Sequence, residues 1–378
     1  MTEATDRPKV MVIFGTRPEA IKMAPVIRAL NDSPLRSIVV VTGQHRDMLD
    51  QVLQLFAIHP DYDLAIMRHG QTLSDVTVRV LTGLEEVLER ENPDLVLVHG
   101  DTTTAMASAL ASYYHRIPVG HVEAGLRTEH PYNPFPEEMN RRLISRIAAL
   151  HFAPTETAKQ NLVRENVSPS SIYVTGNTVI DALVSVIRSD YRFRDPELAR
   201  IVALPGRMLL VTAHRRENLG APMVRIFRAL REILSRFADT RVVFPMHKNP
   251  AVRHLIKQEL GMLERVHLVE PPEYEEFANL MNRAFLILTD SGGIQEEAPA
   301  LGKPVLVLRD TTERPEGIAA GTLRKVGTAT SEIVAAASEL LTDTDAYSRM
   351  ACTANPYGDG KAAQRIVGVL QVHLFRGS

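Results

Sequence analysis

Two carboxylates close apolar runs in the first half of the chain, at strand ends that are expected to converge on one ligand-binding crevice. Asp101 follows the run 95–98, and Glu123 directly follows the run 118–122. Carboxylates are rarely buried without a partner, and Glu123 is not needed as a helix cap. Acids that converge on one crevice suit general acid–base chemistry. For Asp101 the alternative is an N-cap of the next helix, a role that Thr102 could equally fill.

A proline-rich segment, 130–138, adds a third candidate acid. Its prolines make the segment stiff, so that Glu137 could be held near the first two acids at the start of a helix. The alternative is that Glu137 and Glu138 serve only the helix dipole. His99 and His121 each stand two residues before a strand-end acid. On a strand this spacing places each histidine and its acid on one side, so a metal site must be considered. The absence of an HExxH motif and the ordinary packing of strand histidines argue against it.

Two cations, Arg17 and Lys22, lie at the start of the first predicted helix, after Gly15 and a strand. Positive charge is unfavourable at a helix N-terminus unless an anion is bound there. The pattern therefore indicates a phosphate or pyrophosphate contact. The alternative is a structural arrangement in which Glu19 pairs locally with both cations.

The second half of the chain carries a candidate nucleotide site. His214 follows a strand and precedes two arginines, which indicates contact with an anion or a leaving group. In 290–297 adjacent glycines open a helix, so that backbone N–H groups and the helix N-terminus favour a phosphate. This is neither a dinucleotide fingerprint nor a P-loop. Glu297 could accept both hydroxyls of a ribose, and Arg314 indicates a further phosphate or carboxylate contact, or else a solvated loop.

Short runs rich in Val, Ile and Leu alternate with helical segments, and these elements must position the candidate residues. Such runs are typical of parallel strands covered on both faces. The predicted strands are 10–14, 38–41, 95–98, 118–122, 150–153, 172–174, 208–211, 242–245, 266–269, 285–288 and 305–308. The predicted helices include 17–30, 72–90, 103–114, 136–149, 179–187 and 361–375.

This order predicts an α/β fold with doubly wound parallel sheets, whose ligands bind beyond the carboxyl ends of the strands. About eleven strands are too many for one ordinary sheet, so two sheets of five to seven are expected. A length of 378 residues also suggests two domains. The weakest stretch, 181–207, suggests a domain boundary, with an N-terminal domain over 1–178 and a C-terminal one over 179–360.

Composition narrows the class of ligand. Lys plus Arg total 43 and Asp plus Glu total 45, a formal net charge of −2, which argues against nucleic-acid or anionic-membrane partners. The absence of Trp argues against a stacking platform for single-stranded nucleic acid. The single cysteine, Cys352, excludes an intrachain disulfide and a cysteine-based zinc cluster. With no signal-peptide pattern or membrane-spanning run, we expect a soluble, cytoplasmic protein that acts on a small molecule.

Ten motifs along the chain together resemble the non-hydrolysing UDP-N-acetylglucosamine 2-epimerases. They are FGTRPEAIKMAP, TGQHRDML, HGDTTT, HVEAGLRT, NPFPEEMNR, TGNTVIDAL, TAHRREN, DSGGIQEEAP, GKPVLVLRDTTERPE and NPYGDGKAAQRI. The resemblance covers essentially the whole chain, and the combination is specific although no single motif is.

The resemblance implies a GT-B-like fold, in which two Rossmann-like domains face a deep cleft and the C-terminal helix, 361–378, rejoins the first domain. It implies reversible conversion of UDP-GlcNAc to UDP-ManNAc in the cytoplasm, for envelope polysaccharide synthesis. It also implies a homodimer and no requirement for a metal or nicotinamide cofactor.

The resemblance further implies roles for individual residues. Asp101, Glu123 and Glu137 look like the catalytic acids, together with His214 from the second domain. The implied substrate contacts are Arg17, Lys22, Asp101, Glu123, His214, Phe277 near the uracil, Ser291, Gly292 and Gly293 at the phosphates, Glu297 at the ribose, and Arg314. A contact of some members falls on Pro272, where the side chain differs, so we expect a backbone contact there. From its spacing alone, Phe277 fits the apolar face of a helix.

Some members bind a second UDP-GlcNAc as an activator beside the active site. Gln44, Arg215 and His247 fit that pattern. Asp47 stands where a glutamine is expected, and Gly70 stands where an arginine is expected. We therefore expect no strong dependence on an activator.

The implied reaction places chemical demands on these residues. The C2 proton of a UDP-hexosamine is not acidic until UDP begins to leave C1. Elimination to a glycal and re-addition therefore need cations around the pyrophosphate and acids on both sugar faces. The candidate residues supply both. A GT-B glycosyltransferase, a non-catalytic UDP-sugar sensor and a hydrolysing epimerase are the alternatives.

Overall fold

The computed structural model describes residues 7–43, 46–128, 130–246, 250–312 and 314–376, with no side-chain detail for 46–48, 216, 250–251 and 376. The chain divides into two compact units. Unit 1 comprises residues 1–182 and 357–378, and unit 2 comprises residues 183–356. Among the described residues, no helix combines the length and the apolar character needed to cross a membrane.

Unit 1 is built on a seven-stranded sheet in the order β3-β2-β1-β4-β5-β6-β7, and all of its paired strands run parallel. Its strands are β1 (Lys9–Phe14), β2 (Arg36–Val41), β3 (Tyr62–Asp63), β4 (Leu95–His99), β5 (Val119–Val122), β6 (Leu150–Ala153) and β7 (Ile172–Val174). Its helices are α1 (Arg17–Asn31), α2 (Arg46–Leu55), α3 (Leu73–Glu91), α4 (Thr103–Tyr114), α5 (Glu137–Ile147), α6 (Glu156–Arg164), α7 (Thr178–Val186, which runs into unit 2) and α16 (Ala362–Arg376).

Unit 2 is built on a six-stranded parallel sheet in the order β10-β9-β8-β11-β12-β13. Its strands are β8 (Arg207–Thr212), β9 (Thr240–Pro245), β10 (Val266–Val269), β11 (Leu286–Thr289), β12 (Val305–Val307) and β13 (Leu323–Lys325). Its helices are α8 (Pro196–Ala203), α9 (Ala221–Arg236), α10 (Pro250–Leu260), α11 (Tyr274–Arg283), α12 (Gly292–Ala300), α13 (Pro315–Ala320), α14 (Thr330–Thr342) and α15 (Thr344–Ala351).

Two doubly wound parallel sheets were expected from the apolar runs, and the structure confirms them. The strands are buried because helices cover both faces, and β1, β4, β8 and β11 are almost wholly inaccessible to solvent. The sequence pattern missed β3 and β13. These edge strands have two and three residues, and neither contains an apolar run.

Each sheet reverses its winding direction at one point, and ligands of open α/β sheets bind there. In unit 1 the reversal lies between β1 and β4, where Ile13 is in register with Val98. In unit 2 it lies between β8 and β11, where Thr212 is in register with Thr289 and their hydroxyl oxygens are 2.6 Å apart. The fold therefore brings the ends of these four strands to two candidate ligand sites.

Candidate active site

The turn between β1 and α1 is fixed by a buried carboxylate. Glu19 accepts hydrogen bonds from the N–H groups of Gly15 and Thr16 and from the hydroxyls of Thr16 and Thr102. A side chain at Gly15 would collide with Thr42, since its Cβ would lie 2.2 Å from Oγ1. Glu19 thus ties the β1 turn to the β4 turn, and the alternative in which it pairs with Arg17 and Lys22 is wrong.

Lys22 lies about one helical turn after Glu19 in α1, and it is paired instead with Glu123. The Lys22 ammonium contacts Glu123 Oε2, and the Asn177 amide donates to the same oxygen at 2.8 Å. The Glu123 side chain is only 9% exposed. Its backbone has φ +64°, a left-handed conformation that is costly for a residue with a side chain and that clusters at functional sites.

Glu123 is held as a carboxylate. Burial on its own raises the pKa of the Glu123 carboxyl, but the electrostatic effects of Lys22 and His99 and the hydrogen bonds from Lys22 and Asn177 outweigh burial. The pKa therefore lies well below its usual range. In this arrangement Glu123 can accept a proton or stabilise a nearby cation, and it does not carry a proton of its own at neutral pH.

Asp101 lies at the end of the neighbouring strand, and its carboxylate is organised by α5. Arg141 donates to Asp101 Oδ2 from Nε at 2.9 Å, and Nη2 lies 2.7 Å from the same oxygen. The Asn140 amide donates to the Asp101 carbonyl oxygen at 2.8 Å. Thr102, and not Asp101, caps α4, because its hydroxyl accepts from the N–H of Ala105. The capping alternative for Asp101 is therefore wrong.

The two adjacent glutamates at the start of α5 have different surroundings. Glu138 is fully buried and accepts from the Thr128 N–H, from Arg141 and from Arg142. Glu137 is partly exposed, and no hydrogen bond or ion pair engages its carboxylate within the described ranges. Two cis-proline bonds, Asn133–Pro134 and Phe135–Pro136, lie in the segment that leads into the helix. Glu138 is thus a structural residue, and Glu137 is left available to a ligand.

The histidines of β4 and β5 are packed residues. Burial lowers the pKa of His99 to about 4 and that of His121 to about 3, so both are neutral at physiological pH. His121 Nε2 lies 2.7 Å from the Gly100 carbonyl oxygen, and His99 Nε2 lies 3.9 Å from Glu123 Oε2. In the described part of the chain, no group of three His, Cys, Asp or Glu side chains could hold a metal ion.

Unit 2 carries an apolar cavity of about 190 Å³ beside the end of β8. Three of the predicted site residues, His214, Pro272 and Phe277, line it together. The other lining residues are Thr212, Ala213, Pro245, Pro271 and Ile294. A small apolar pocket with one aromatic ring and one imidazole suits a planar heterocycle.

His214 is oriented by a carboxylate that the sequence reading did not single out. Asp290 is completely buried, and its Oδ2 accepts from the N–H groups of His214 and Arg215 and from the Asn218 amide. Its Oδ1 lies 3.3 Å from His214 Nδ1. The loop after β8 is therefore fixed to the end of β11, and one nitrogen of His214 faces a buried carboxylate.

The N-terminus of α12 faces two guanidinium groups. Ser291 is its N-cap residue, and the N–H groups of Gly292 and Gly293 begin the helix and have no acceptor within it. A Cβ at Gly292 would lie 3.7 Å from a terminal nitrogen of both Arg215 and Arg314. Arg314 is oriented by the buried Glu296. Helix dipole and guanidinium charge together favour an anion at this position.

Glu297 lies one turn further along α12 and is buried. The Tyr274 hydroxyl donates to its Oε1 at 3.3 Å, and its Oε2 lies 3.8 Å from the position of a Cβ at Gly293. The carboxylate is thus next to the glycines that begin the helix. Such a placement fits the predicted contact with a sugar hydroxyl beside a phosphate.

The residues predicted for an activator site are only partly described. Gln44 and His247 lie outside the described residues, and the side chain of Asp47 on α2 is not described. Gly70 has φ +72° with open space around it. Arg215 lies with Arg314 at the start of α12, so the structure places it beside a residue predicted to bind substrate.

Three residues that organise the site were missed in the sequence. Asn177 and Asp290 both follow strands, so the rule that led to Asp101 and Glu123 could have found them. Arg141 lies inside α5 and contacts Asp101 across 40 residues of sequence. No local pattern indicates that contact.

The chain is similar to known proteins over almost its full length. The family model described as UDP-N-acetylglucosamine 2-epimerase matches residues 28–371. The UDP-N-acetylglucosamine 2-epimerase of Bacillus subtilis (strain 168) is 55% identical over 366 residues, which cover 97% of this chain and 95% of that protein.

Solved structures give the same result. The UDP-GlcNAc 2-epimerase from Neisseria meningitidis bound to UDP-GlcNAc has 49% identity and a TM-score of 0.84, and the match covers 96% of this chain and 99% of that one. The enzyme from Methanocaldococcus jannaschii in complex with UDP-GlcNAc and UDP has 35% identity and a TM-score of 0.77, with coverage of 96% and 99%.

Proposed function

The chain belongs to the UDP-N-acetylglucosamine 2-epimerase family, and we propose how its residues carry out the reversible C2 epimerisation that this membership implies. The fold is GT-B-like, as in the solved family structures. The substrate is a small molecule, UDP-GlcNAc or its C2 epimer UDP-ManNAc. The observation that supports this most directly is Glu123, a buried, ionised carboxylate in a strained backbone conformation at the end of β5, one strand from the reversal point of unit 1.

The proposed reaction is elimination followed by re-addition. The C1–O bond to UDP breaks with its electron pair passing to the β-phosphate oxygen, and a carboxylate takes the proton from C2, which leaves 2-acetamidoglucal and UDP. The reverse addition delivers a proton to the opposite face of C2 and re-forms the C1–O bond. Asp101, Glu123 and Glu137 are the proposed proton-exchange residues, and clustered carboxylates can divide acid and base roles among them.

The leaving UDP needs positive charge. We assign this role to Arg17, Lys22, His214, Arg314 and the N-terminus of α12, at Ser291, Gly292 and Gly293. In the described part of the chain, Arg17 has no anionic partner, so its charge is available. Phe277 and Pro272 are proposed to hold the uracil in the apolar cavity, and Glu297 the ribose hydroxyls.

The alternative functions are not favoured. A GT-B glycosyltransferase or a UDP-sugar sensor would share the UDP-binding unit, but the family match spans both units. Unit 1 carries a set of carboxylates that a sensor does not need, because a sensor binds its ligand without catalysis. A hydrolysing epimerase would use a similar set and differs in its product.

An activator role of a second UDP-GlcNAc is proposed to be weak. Asp47 replaces a glutamine with an anion, and Gly70 supplies no cation where the activator pattern has an arginine. Initial rates of UDP-ManNAc conversion with and without added UDP-GlcNAc test this. A rise of more than about tenfold in this rate, which corresponds to about 1.4 kcal/mol of activation free energy, would overturn the proposal.

We also propose a cytoplasmic homodimer that supplies precursors of cell-envelope polysaccharide. Exposed apolar side chains on three adjacent helices of unit 1, α3, α4 and α5, support the dimer: they are Leu73, Val78, Tyr113, Tyr114 and Leu143. Sedimentation equilibrium of the purified chain should give the mass of two copies. A concentration-independent monomer would contradict the dimer.

Proton NMR of the protein with UDP-GlcNAc in D2O tests the reaction. We expect UDP-ManNAc with deuterium at C2 and no lasting free sugar, because the carboxylates exchange with solvent during turnover. Free ManNAc with an equal amount of UDP would indicate the hydrolysing reaction. Unchanged substrate, with or without activator, would rule out epimerisation and leave the glycosyltransferase for acceptor screens.

A further inference from the structure

The Asn177 side chain is fixed at both ends of its amide. Its Oδ1 accepts from the Val179 N–H at 3.1 Å, which assigns Nδ2 as the group that faces Glu123. The Asn177 N–H donates to the Tyr357 carbonyl oxygen at 2.7 Å, and the residue is 2% exposed. The Asn177 side chain therefore cannot rotate without losing its hydrogen bonds to the Val179 N–H and to Glu123.

The contacts to Glu123 are not divided between its two oxygens. Lys22, Asn177 and, at 3.9 Å, His99 all address Oε2. In the described ranges, Oε1 has no hydrogen-bond partner. Oε1 lies 3.7 Å from the position of a Cβ at Gly100, on the side of the β4 turn that leads to Asp101. One oxygen is held and the other is available.

We propose that Asn177 is a positioning residue, which anchors Oε2 of Glu123 so that Oε1 is the oxygen that exchanges the proton. This rests on the proposed function of Glu123. Lys22 supplies charge but has a long, flexible stem, whereas the amide supplies a directional hydrogen bond from a buried, doubly fixed group.

The same residue connects the carboxylate to the C-terminal return of the chain. Gly176 has φ +88°, and a Cβ there would lie 3.2 Å from Gly358 Cα, so the two backbones touch beside Asn177. Tyr357 is buried and accepts the Asn177 N–H. The position of Asn177 is therefore set by residues 357–358 as well as by β7, the strand that precedes it.

Two variants and a control test the proposal through steady-state kinetics. In Asn177→Ala we expect kcat to fall about 10- to 100-fold, the cost of a misplaced reacting group, while KM changes by less than about threefold. In Asn177→Asp a carboxylate replaces the donor at 2.8 Å from Oε2. The pair then shares a proton, and the acid limb of the kcat profile should move to higher pH.

The pH dependence of kcat is affected by the charged and titratable groups that face Glu123. They are Lys22 from α1 and His99 from the end of β4, with Asp101 beyond His99. Asn161→Ala is the matched control, because that amide donates at 2.9 Å to a carbonyl oxygen, Gly125 O, in the same unit. It should keep the kcat and pH profile of the parent chain.

Either of two results overturns the proposal: a folded Asn177→Ala with kcat within about twofold of the parent, or an Asn177→Asp profile that does not move. If the parent chain itself does not epimerise UDP-GlcNAc, the proposed function fails separately. The anchor is then tested by NMR of 13C-carboxyl glutamate, assigned with Glu123→Gln. The Glu123 resonance should titrate at higher pH in Asn177→Asp than in the parent chain, and a resonance that stays unchanged there overturns the anchor.

Discussion

The two units use charge in opposite ways at their reversal points. In unit 1 the cations serve the carboxylates: Lys22 holds Glu123, and Arg141 holds Asp101. In unit 2 the carboxylates are buried and serve the basic groups: Asp290 orients His214, and Glu296 orients Arg314. Parallel sheets of the same winding thus present anionic groups in one unit and cationic groups in the other.

This difference assigns a task to each unit. Ionised carboxylates with fixed geometry can move protons, whereas cations at a helix N-terminus can hold an anion and its developing charge. Variants of the unit 1 carboxylates and of the groups that hold them should therefore lower kcat, and variants of the basic groups of unit 2 should weaken UDP binding. The expected effects decrease in size from the first variant below to the last.

Glu123→Gln should cause the largest loss of kcat among these variants. General acid–base groups contribute about 10²- to 10⁴-fold, so we expect a loss of that size in kcat. UDP affinity, measured by calorimetry, should remain within about twofold. Glu165→Gln is the control, since it also removes a carboxylate paired with a cation of the same unit, in this case Arg127. Equal losses in both variants would show that Glu123 acts only through stability.

Lys22→Met should change both the rate and its pH dependence. Without Lys22 the raising effect of burial dominates, so the pKa of the Glu123 carboxyl goes up, and the carboxylate is lost as pH falls through that raised value. We expect kcat to fall about 10- to 100-fold near neutral pH and its acid limb to move to higher pH.

Lys159→Met, which removes a lysine paired with the exposed Glu156, controls for this change. Its profile should match that of the parent chain. An unshifted acid limb in Lys22→Met would mean that Glu123 is kept ionised by other groups.

Arg314→Ala should weaken UDP binding and so test the role of unit 2. A charge-assisted hydrogen bond contributes about 1.5–3 kcal/mol, so UDP should bind about 10- to 100-fold more weakly. Calorimetric titration with UDP measures this directly. Arg324→Ala, which removes an exposed arginine paired with Glu339, should leave the affinity unchanged. Undiminished UDP affinity in Arg314→Ala would place the phosphates elsewhere.

Phe277→Ala should have the smallest effect, because it removes one face of the cavity and no charge. Base stacking is worth about 1–3 kcal/mol, and we expect the lower end, about a fivefold loss of UDP affinity. Pyrophosphate binding should not change. Phe193→Ala removes a partly buried ring that packs on Tyr191 in the same unit and serves as the comparison. A loss of affinity for both ligands would indicate a folding defect.

Much of the fold could be predicted because apolar runs and helical periodicity are local. The helix predicted over 103–114 has the bounds that the structure gives to α4. The strands that were missed, Tyr62–Asp63 and Leu323–Lys325, are edge strands with polar residues, where burial leaves no pattern. Family membership was likewise predictable, since the motifs extend along the whole chain.

The pairings within the site could not be predicted. Strand-end position placed Asp101 and Glu123 at one edge of the sheet, but a hydrogen-bond partner is fixed by side-chain placement within tenths of an ångström. Asn177 reaches Glu123 across 54 residues, and Asp290 reaches His214 across 76. The sequence also could not separate Glu137 from Glu138, because neighbours on a helix differ only in the direction they face.

The order of the chain has a consequence for biosynthesis. Unit 2 is an insertion within unit 1, because residues 357–378 return to the first unit and α16 packs on α1. The N-terminus of α16 is held by Asp181, whose carboxylate accepts from the N–H groups of Ala362 and Ala363. On the ribosome, unit 2 therefore emerges in full before unit 1 receives its last helix. The unit that carries Asp101 and Glu123, although its synthesis begins first, therefore receives its C-terminal segment only after unit 2 has been made.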